Sequence, residues 1–242
     1  MRCPFRARNH RLKLTWRRWG HGVSNRGIRM TLVDLTLEAQ DWKDGKPAMS
    51  LEERLIVCED GARFTGMVYH FDHDSMLGTY IDFPGHIKET DDGKDAANYP
   101  LERLFRIDAS VIHLDREDGS GAVEADELER AMDGAVSGAL VINALGNRRW
   151  DEIEERSVYL ATSAVDWIVE QGVDLLVSDI YESKRLHGVF PALFRNGIST
   201  VCYPINLDML TATQIKLTIL PVRYPTVTQI PCRIIAELEE KR

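Results

Sequence analysis

The chain has little cysteine, and what it has is scattered. Cys3, Cys58, Cys202 and Cys232 form no CxxC pair and no short-spaced framework. That excludes a disulfide-stapled scaffold and leaves free thiols in a reducing, cytoplasmic setting as the expectation. Long apolar runs are also missing. None approaches the length of a membrane span, so a soluble chain with no membrane partner is expected. Positive charge is in deficit, with 30 Lys and Arg against 38 Asp and Glu, a net charge of −8. With a pI near 5.4, general nucleic-acid binding is not expected. There is no internal repeat and no low-complexity tract.

What is present suffices for a substantial core: 242 residues, 44% of them hydrophobic, fit one α/β domain. Residues 1–29 stand apart. They hold nine Arg or Lys and no acid, leaving about −17 on the remainder once those nine are subtracted. They lack the apolar stretch of a secretory signal. Three readings fit this basic leader: upstream sequence ahead of a natural start at Met30, a disordered arm, or an organelle transit peptide. Residues 30–242 read as the single domain.

Along that domain the pattern predicts a strand over Thr31–Leu37, a turn at Lys43–Pro47 and a short helix start at Ser50–Glu53, with Ser as cap and acids behind it. Alternation with aromatics predicts a strand over Ala62–Phe71. Tyr99–Leu104 reads as a short helix with Pro in its first turn. Further on, apolar strands at Ala109–Asp115, Gly138–Leu145, Val173–Ile180 and Ser199–Tyr203 alternate with helices at Glu124–Ala135, Ala161–Gln171 and Phe190–Asn196. Strands at Ile215–Pro221 and Cys232–Leu238 close the chain. This alternation predicts α/β layering. His113, inside an apolar strand, reads as a packing histidine.

The chemically dense stretch is His70–Asp92. Ser75–Asp82 reads as a strand entered through a tight turn at Gly78, and Pro84 ends it. Alternation would place Met76, Gly78, Tyr80 and Asp82 on one face, with His86 just past the end. An acid and a histidine converging at a strand end suggest a site. The plainer reading is a turn-capping Asp and a solvated His.

Gly78-Thr79-x-x-Asp82-x-Pro84-x-His86 resembles the His-x-Gly-Thr-His-x-Asp-x-Pro-x-His motif of the cyclase family, which includes bacterial kynurenine formamidases and related small-amide and lactam hydrolases. The opening Val33-Asp34-Leu35-Thr36, Ser178-Asp179, Asn206-Leu207-Asp208 and Pro231-Cys232-Arg233 extend the resemblance over about Thr31 to Glu239. It implies a swivelling β/β/α fold, a mixed sheet packed against helices, in a homodimer or homotetramer with the site near the subunit interface. It also implies one or two zinc or manganese ions held by the motif's His and Asp residues plus a late His and Glu. Here Asp82 and His86 are retained. Met76 and Tyr80 replace the first two histidines, and Phe190 and Cys202 fall at the late His and Glu.

Three site chemistries follow. A single zinc or manganese ion needs three or four N, O or S donors, which Asp82, His86, Cys202 and His187 would supply. A metal-free hydrolase would pair Asp82 with His86 as acid and base, with Tyr80 as hydrogen-bond donor and Cys202 as nucleophile. A non-catalytic paralogue would keep an apolar, aromatic-lined pocket for a small flat aromatic ligand, or serve as an oligomer partner. The first two act on a small amide, lactam or related carbonyl substrate.

Overall fold

A computed structural model describes residues 29–39, 49–114, 116 and 120–240. The basic leader and the turn expected at Lys43–Pro47 lie outside the described residues. The strands are β1 (Arg29–Asp34), β2 (Met49–Val57), β3 (Arg63–Phe71), β4 (Tyr80–Asp82), β5 (Ile107–His113), β6 (Gly121–Val123), β7 (Ala139–Asn143), β8 (Val158–Leu160), β9 (Leu175–Ser178), β10 (Ser199–Cys202), β11 (Gln214–Pro221) and β12 (Gln229–Glu240). The α-helices are α1 (Ala125–Ala131), α2 (Thr162–Glu170) and α3 (Val189–Arg195).

The main sheet runs β1-β12-β11-β5-β7-β9-β10-β4, and β4 pairs in turn with β12. The sheet therefore curls into a barrel-like closure, with β1 outside the ring as an edge strand. Neighbours among β5, β7, β9 and β10 run parallel, and the other pairings are antiparallel. This is the mixed sheet expected of an α/β chain.

Strand alternation divides the core in two. Ile81, Val111, Val141, Val177 and Val201 pack inside the curled sheet. Their neighbours Tyr80, Ile112, Ile142, Leu176 and Cys202 point the other way and meet the helices through Val165, Ile168, Leu193 and Phe194. Every residue of β7, β9 and β10 is buried, the continuous apolar burial that parallel strands covered on both faces require.

Two expectations are corrected. Ser50–Glu53 does not start a helix. It lies within β2, which pairs with β3 without interruption from Met49↔Phe71 to Val57↔Arg63. Here a nine-residue partner strand outweighs a local cap signal, as tertiary pairing often does. The motif strand is also shorter than expected, reduced to Tyr80–Asp82. Gly78 sits at φ 64, where an added Cβ would lie 2.7 Å from the Leu37 carbonyl. The Thr79 hydroxyl accepts from Leu37 N–H and donates to the Tyr203 carbonyl, both at 2.7 Å. The Gly-Thr pair therefore clamps the loop entering β4. It also ends the alternation, leaving Met76 exposed at 48%. His113 is satisfied but sits at the exposed end of β5, not packed in the core: its Nε2 donates to the Leu210 carbonyl at 2.8 Å, and its Nδ1 accepts from Asn143 Nδ2 at 3.0 Å.

Candidate functional site

β4 lies between β10 and β12. Asp82 stands opposite Thr200 on one side and Gln229 on the other, and Tyr80 stands opposite Cys202. Tyr80 and Asp82 are two residues apart, so both project from the helix-facing side of the sheet. Asp82 is only 2% exposed. Its Oδ2 accepts the Cys202 thiol at 3.6 Å and the Thr200 hydroxyl at 3.5 Å, while Oδ1 has no hydrogen-bond partner. Burial pushes the carboxyl up to about 7, against the pull of Gln229, Cys202 and Thr200. Burial also raises the Cys202 thiol far above its usual range, and the adjacent Asp82 adds to the shift. Burial, with Cys202 and Asp82 nearby, raises the Tyr80 hydroxyl too. At neutral pH the thiol and the phenol are both protonated.

Gln229 connects the acid to the histidine. Its side chain stands beside the Asp82 carboxyl across the β4–β12 pairing and holds that carboxyl's pKa down, and its Nε2 lies 3.1 Å from His86 Nε2. An amide nitrogen can only donate, so His86 Nε2 is the acceptor and the neutral ring carries its proton on Nδ1. Partial burial lowers the His86 pKa. Ser75 Oγ donates to the Gln229 carbonyl oxygen and fixes the amide. The structure thus joins Tyr80, Asp82 and Cys202 directly and reaches His86 through Gln229. No contact joins Cys202 to His86 among the described residues.

His187 is held elsewhere. Its Nε2 donates to the Leu160 carbonyl at 2.7 Å, and its Nδ1 faces Ser183 Oγ at 3.0 Å and Glu182 at 3.3 Å. Both ring nitrogens are therefore occupied. Glu182, which composition alone does not distinguish, is the organiser here. Its buried carboxylate accepts the backbone N–H groups of His187, Gly188 and Val189 at 2.9, 2.9 and 2.6 Å. These bonds fix the start of α3, the helix that carries Phe190.

Above Tyr80 and Cys202 opens a cavity of about 160 Å³ whose walls include Trp150, Tyr181, Phe190 and Tyr203. Tyr181 and Phe190 stack at 5.0 Å and 25°. Trp150 lies 4.8 Å from Tyr203, and Tyr203 meets Tyr80 edge-on at 5.7 Å. Asp179 also lines this cavity and a neighbouring polar one. It accepts the N–H groups of Ala144 and Leu145 at 3.0 Å, and burial raises it to about 6. Trp150 and Tyr181 carried no sequence signal, because an aromatic becomes a wall residue only through the folding of distant loops.

The donor set does not fit the implied metal. Zinc takes three or four N, O or S donors at roughly 2.0–2.3 Å. Here Asp82 and Cys202 are in contact, but a donating amide blocks His86 Nε2, His187 is engaged by protein acceptors, and Asp179 and Glu182 at the cavity are taken up by backbone N–H groups. No group of three His, Cys, Asp or Glu among the described residues is placed to share an ion.

The Cyclase family model matches residues 30–183. No curated protein matches the chain. Among solved structures, one described as a potential metal-dependent hydrolase with cyclase activity superposes at TM-score 0.62, with 15% identity over 88% of this chain and 100% of its own. An isatin hydrolase bound to the product analogue thioisatinate gives 0.60, with 18% identity over 87% and 93%. Isatin hydrolase A from Labrenzia aggregata, bound to benzyl benzoate, gives 0.61, with 17% identity over 87% and 94%. At these identities the likeness is one of fold.

Proposed function

Given that the chain belongs to the cyclase family, we propose that it binds a small planar aromatic carbonyl compound in the cavity above Tyr80 and Cys202, without metal-activated water. The observation that carries this reading is the aromatic wall of Tyr80, Trp150, Tyr181, Phe190 and Tyr203 around one small cavity. Flat rings gain most from such walls through offset and edge contacts. Tyr80, Phe190 and Cys202, three of the four positions where this chain departs from the ligands the resemblance implies, line that cavity. Two solved neighbours support the ligand class, one bound to thioisatinate and another to benzyl benzoate, both aromatic carbonyl compounds.

The test is a thermal-shift screen of planar amides, lactams and aryl ketones. Several should raise the melting temperature of the wild-type protein, and Phe190→Ala should abolish the shift. A flat response across the set overturns the reading.

A second reading is that the bound amide or lactam is also hydrolysed at this altered site. It is favoured by Asp82, whose carboxyl titrates at about 7, a suitable value for a general acid or base at neutral pH. Against it, the Cys202 thiol at the cavity is kept protonated by its surroundings. Turnover that disappears in Asp82→Asn would establish this second reading.

The homodimer or homotetramer expected from the sequence also has a candidate surface. In the β2–β3 hairpin, Met49, Leu51, Leu55, Val57, Met67, Tyr69 and Phe71 share one face by register and are all exposed. The other face carries Glu52, which pairs with Arg54 at 2.7 Å and His70 at 3.0 Å. On the apolar face, Glu53 and Arg63 form no ion pair among the described residues. One charge of each sign on the same face suits a self-complementary contact with a second copy of the chain.

A further inference from the structure

The cavity reading leaves open what orients a ring between those walls. Four charged side chains line the cavity: Glu155, Arg156, Asp179 and Glu182. Two of the acids already have backbone partners. Asp179 takes the N–H groups of Ala144 and Leu145, and Glu182 takes those of His187, Gly188 and Val189. Glu155 has a side chain 80% exposed, so water screens it. Arg156 has a side chain 43% exposed and, unlike Asp179 and Glu182, has no backbone partner for its charge among the described residues. Its only polar contact among the described residues is to Glu155 at 3.9 Å, far longer than the roughly 2.7–2.9 Å of a charge-assisted hydrogen bond. The guanidinium therefore keeps its planar fork of donors unengaged at the cavity.

The backbone gives an independent indication. Arg156 sits at φ 53, in the left-handed region, as does Tyr203 at φ 55, and both line this cavity. A bulky residue in that region costs energy, on the order of 1–3 kcal/mol. Such strain gathers where a side chain must be aimed. Arg156 also lies close enough to Tyr203 to act on its hydroxyl electrostatically, so both project toward one part of the cavity.

We propose that Arg156 anchors a planar aromatic ligand bearing one carboxylate, with the ring against Trp150 and Tyr203 and the carboxylate on the guanidinium. This rests on the cavity reading above and adds the ligand's charge. Arg supplies parallel N–H donors that match a carboxylate in two-point geometry, which a neutral amide cannot return. The engaged acids offer no free oxygen pair to hold an ammonium in the same place.

The test uses the full chain and two probes of matched shape, indole-2-carboxylate and indole-2-carboxamide, titrated calorimetrically. The wild-type protein should prefer the carboxylate at least about tenfold, the discrimination a charged hydrogen bond supplies. Arg156→Gln should lose that preference while keeping its affinity for the amide, which also shows that the variant is folded. Arg156→Lys should restore part of it. If wild type and Arg156→Gln bind both probes alike, the anchor is overturned and the cavity reading stands. If the wild-type protein binds neither probe, both are overturned.

Discussion

The Cys202 thiol faces the Asp82 carboxyl at 3.6 Å between neighbouring strands, both residues almost wholly buried. Asp82 raises the thiol's resistance to ionisation, while the protonated thiol, by donating to the carboxyl, eases that of Asp82. A thiolate beside a carboxylate would place two like charges in a low-dielectric site, and such a pair ionises in sequence, not together. The pair therefore holds at least one proton across the neutral range. That argues for a protonated thiol that contacts a ligand at the cavity floor, in place of a nucleophile that attacks one.

The first consequence is for reactivity. Iodoacetamide at pH 8 is expected to modify the half-buried Cys58 well before Cys202, which should label only on unfolding. Cys58 lies outside the core. Peptide mass spectrometry over a time course reads the order. Labelling of Cys202 as fast as Cys58 in the folded protein would mean an accessible thiolate and would favour the hydrolase.

The second is for pH-dependent stability. Asp82 has its folded-state pKa raised from 3.8 to about 7. A carboxyl raised on folding favours the fold while protonated, so its contribution is complete below pH 4 and is lost as pH rises toward 7. Asp179, raised by burial to about 6, acts in the same direction. Stability should therefore fall from pH 4.5 to pH 8. Asp82→Asn should be more stable than wild type at pH 8 by on the order of 2–4 kcal/mol, with little gain near pH 4. Urea midpoints across this range provide the test, and a wild-type profile that rises with pH would contradict the burial argument.

These expectations show which features the sequence makes legible. The strands β5, β7, β9 and β10 were readable because parallel strands buried on both faces appear as plain apolar runs. Gly78, Thr79, Asp82 and His86 were readable from their spacing, although only the structure shows that Gly78 and Thr79 clamp a loop. The β2–β3 hairpin was half hidden, because Ser50 followed by two acids imitates a helix start while the evidence for a strand lies in its partner. Gln229 was not legible. It is an ordinary polar residue nearly 150 positions from Asp82, made functional by strand pairing. Glu182 and Trp150 were hidden for the same reason.

Metal content offers a third prediction. The wild-type chain, dialysed after exposure to zinc, should retain no stoichiometric ion. The double variant Tyr80→His, Phe190→His would add two imidazoles to the cavity that Cys202 lines, with Asp82 behind the thiol at 3.6 Å. Four donors satisfy zinc's ordinary requirement, so this variant should retain about one equivalent, read by elemental analysis. Stoichiometric metal on the wild-type protein, lost in Asp82→Ala, would overturn the misfit between donors and ion.

The exposed hairpin leads to a fourth. Leu51 and Tyr69 are directly paired across β2 and β3 and are 48% and 49% exposed. Leu51→Glu with Tyr69→Glu should convert an oligomer to a monomer, measured by light scattering on a sizing column, without lowering the melting temperature of the body. A wild-type protein that is already monomeric at high concentration would remove the self-association reading.

The last concerns how the aromatic wall is held in place. Phe190 reaches the cavity because α3 starts where it does, and α3 starts there because one buried carboxylate collects three backbone N–H groups that no helical carbonyl can accept. Glu182→Gln keeps the shape but replaces one acceptor oxygen with a donor, turning an N–H group toward another N–H. A buried donor left without a partner costs about 1–3 kcal/mol, so the variant should be destabilised by that order. Its effect on binding separates two roles. If Glu182 only caps the helix, ligand affinity should fall together with stability and recover under a stabilising osmolyte. If the carboxylate also repels or attracts the ligand directly, affinity for a charged probe should change in Glu182→Gln even where the fold is restored, and affinity for a neutral probe of the same shape should not. The geometry favours the first outcome, because both carboxylate oxygens are already engaged by the chain.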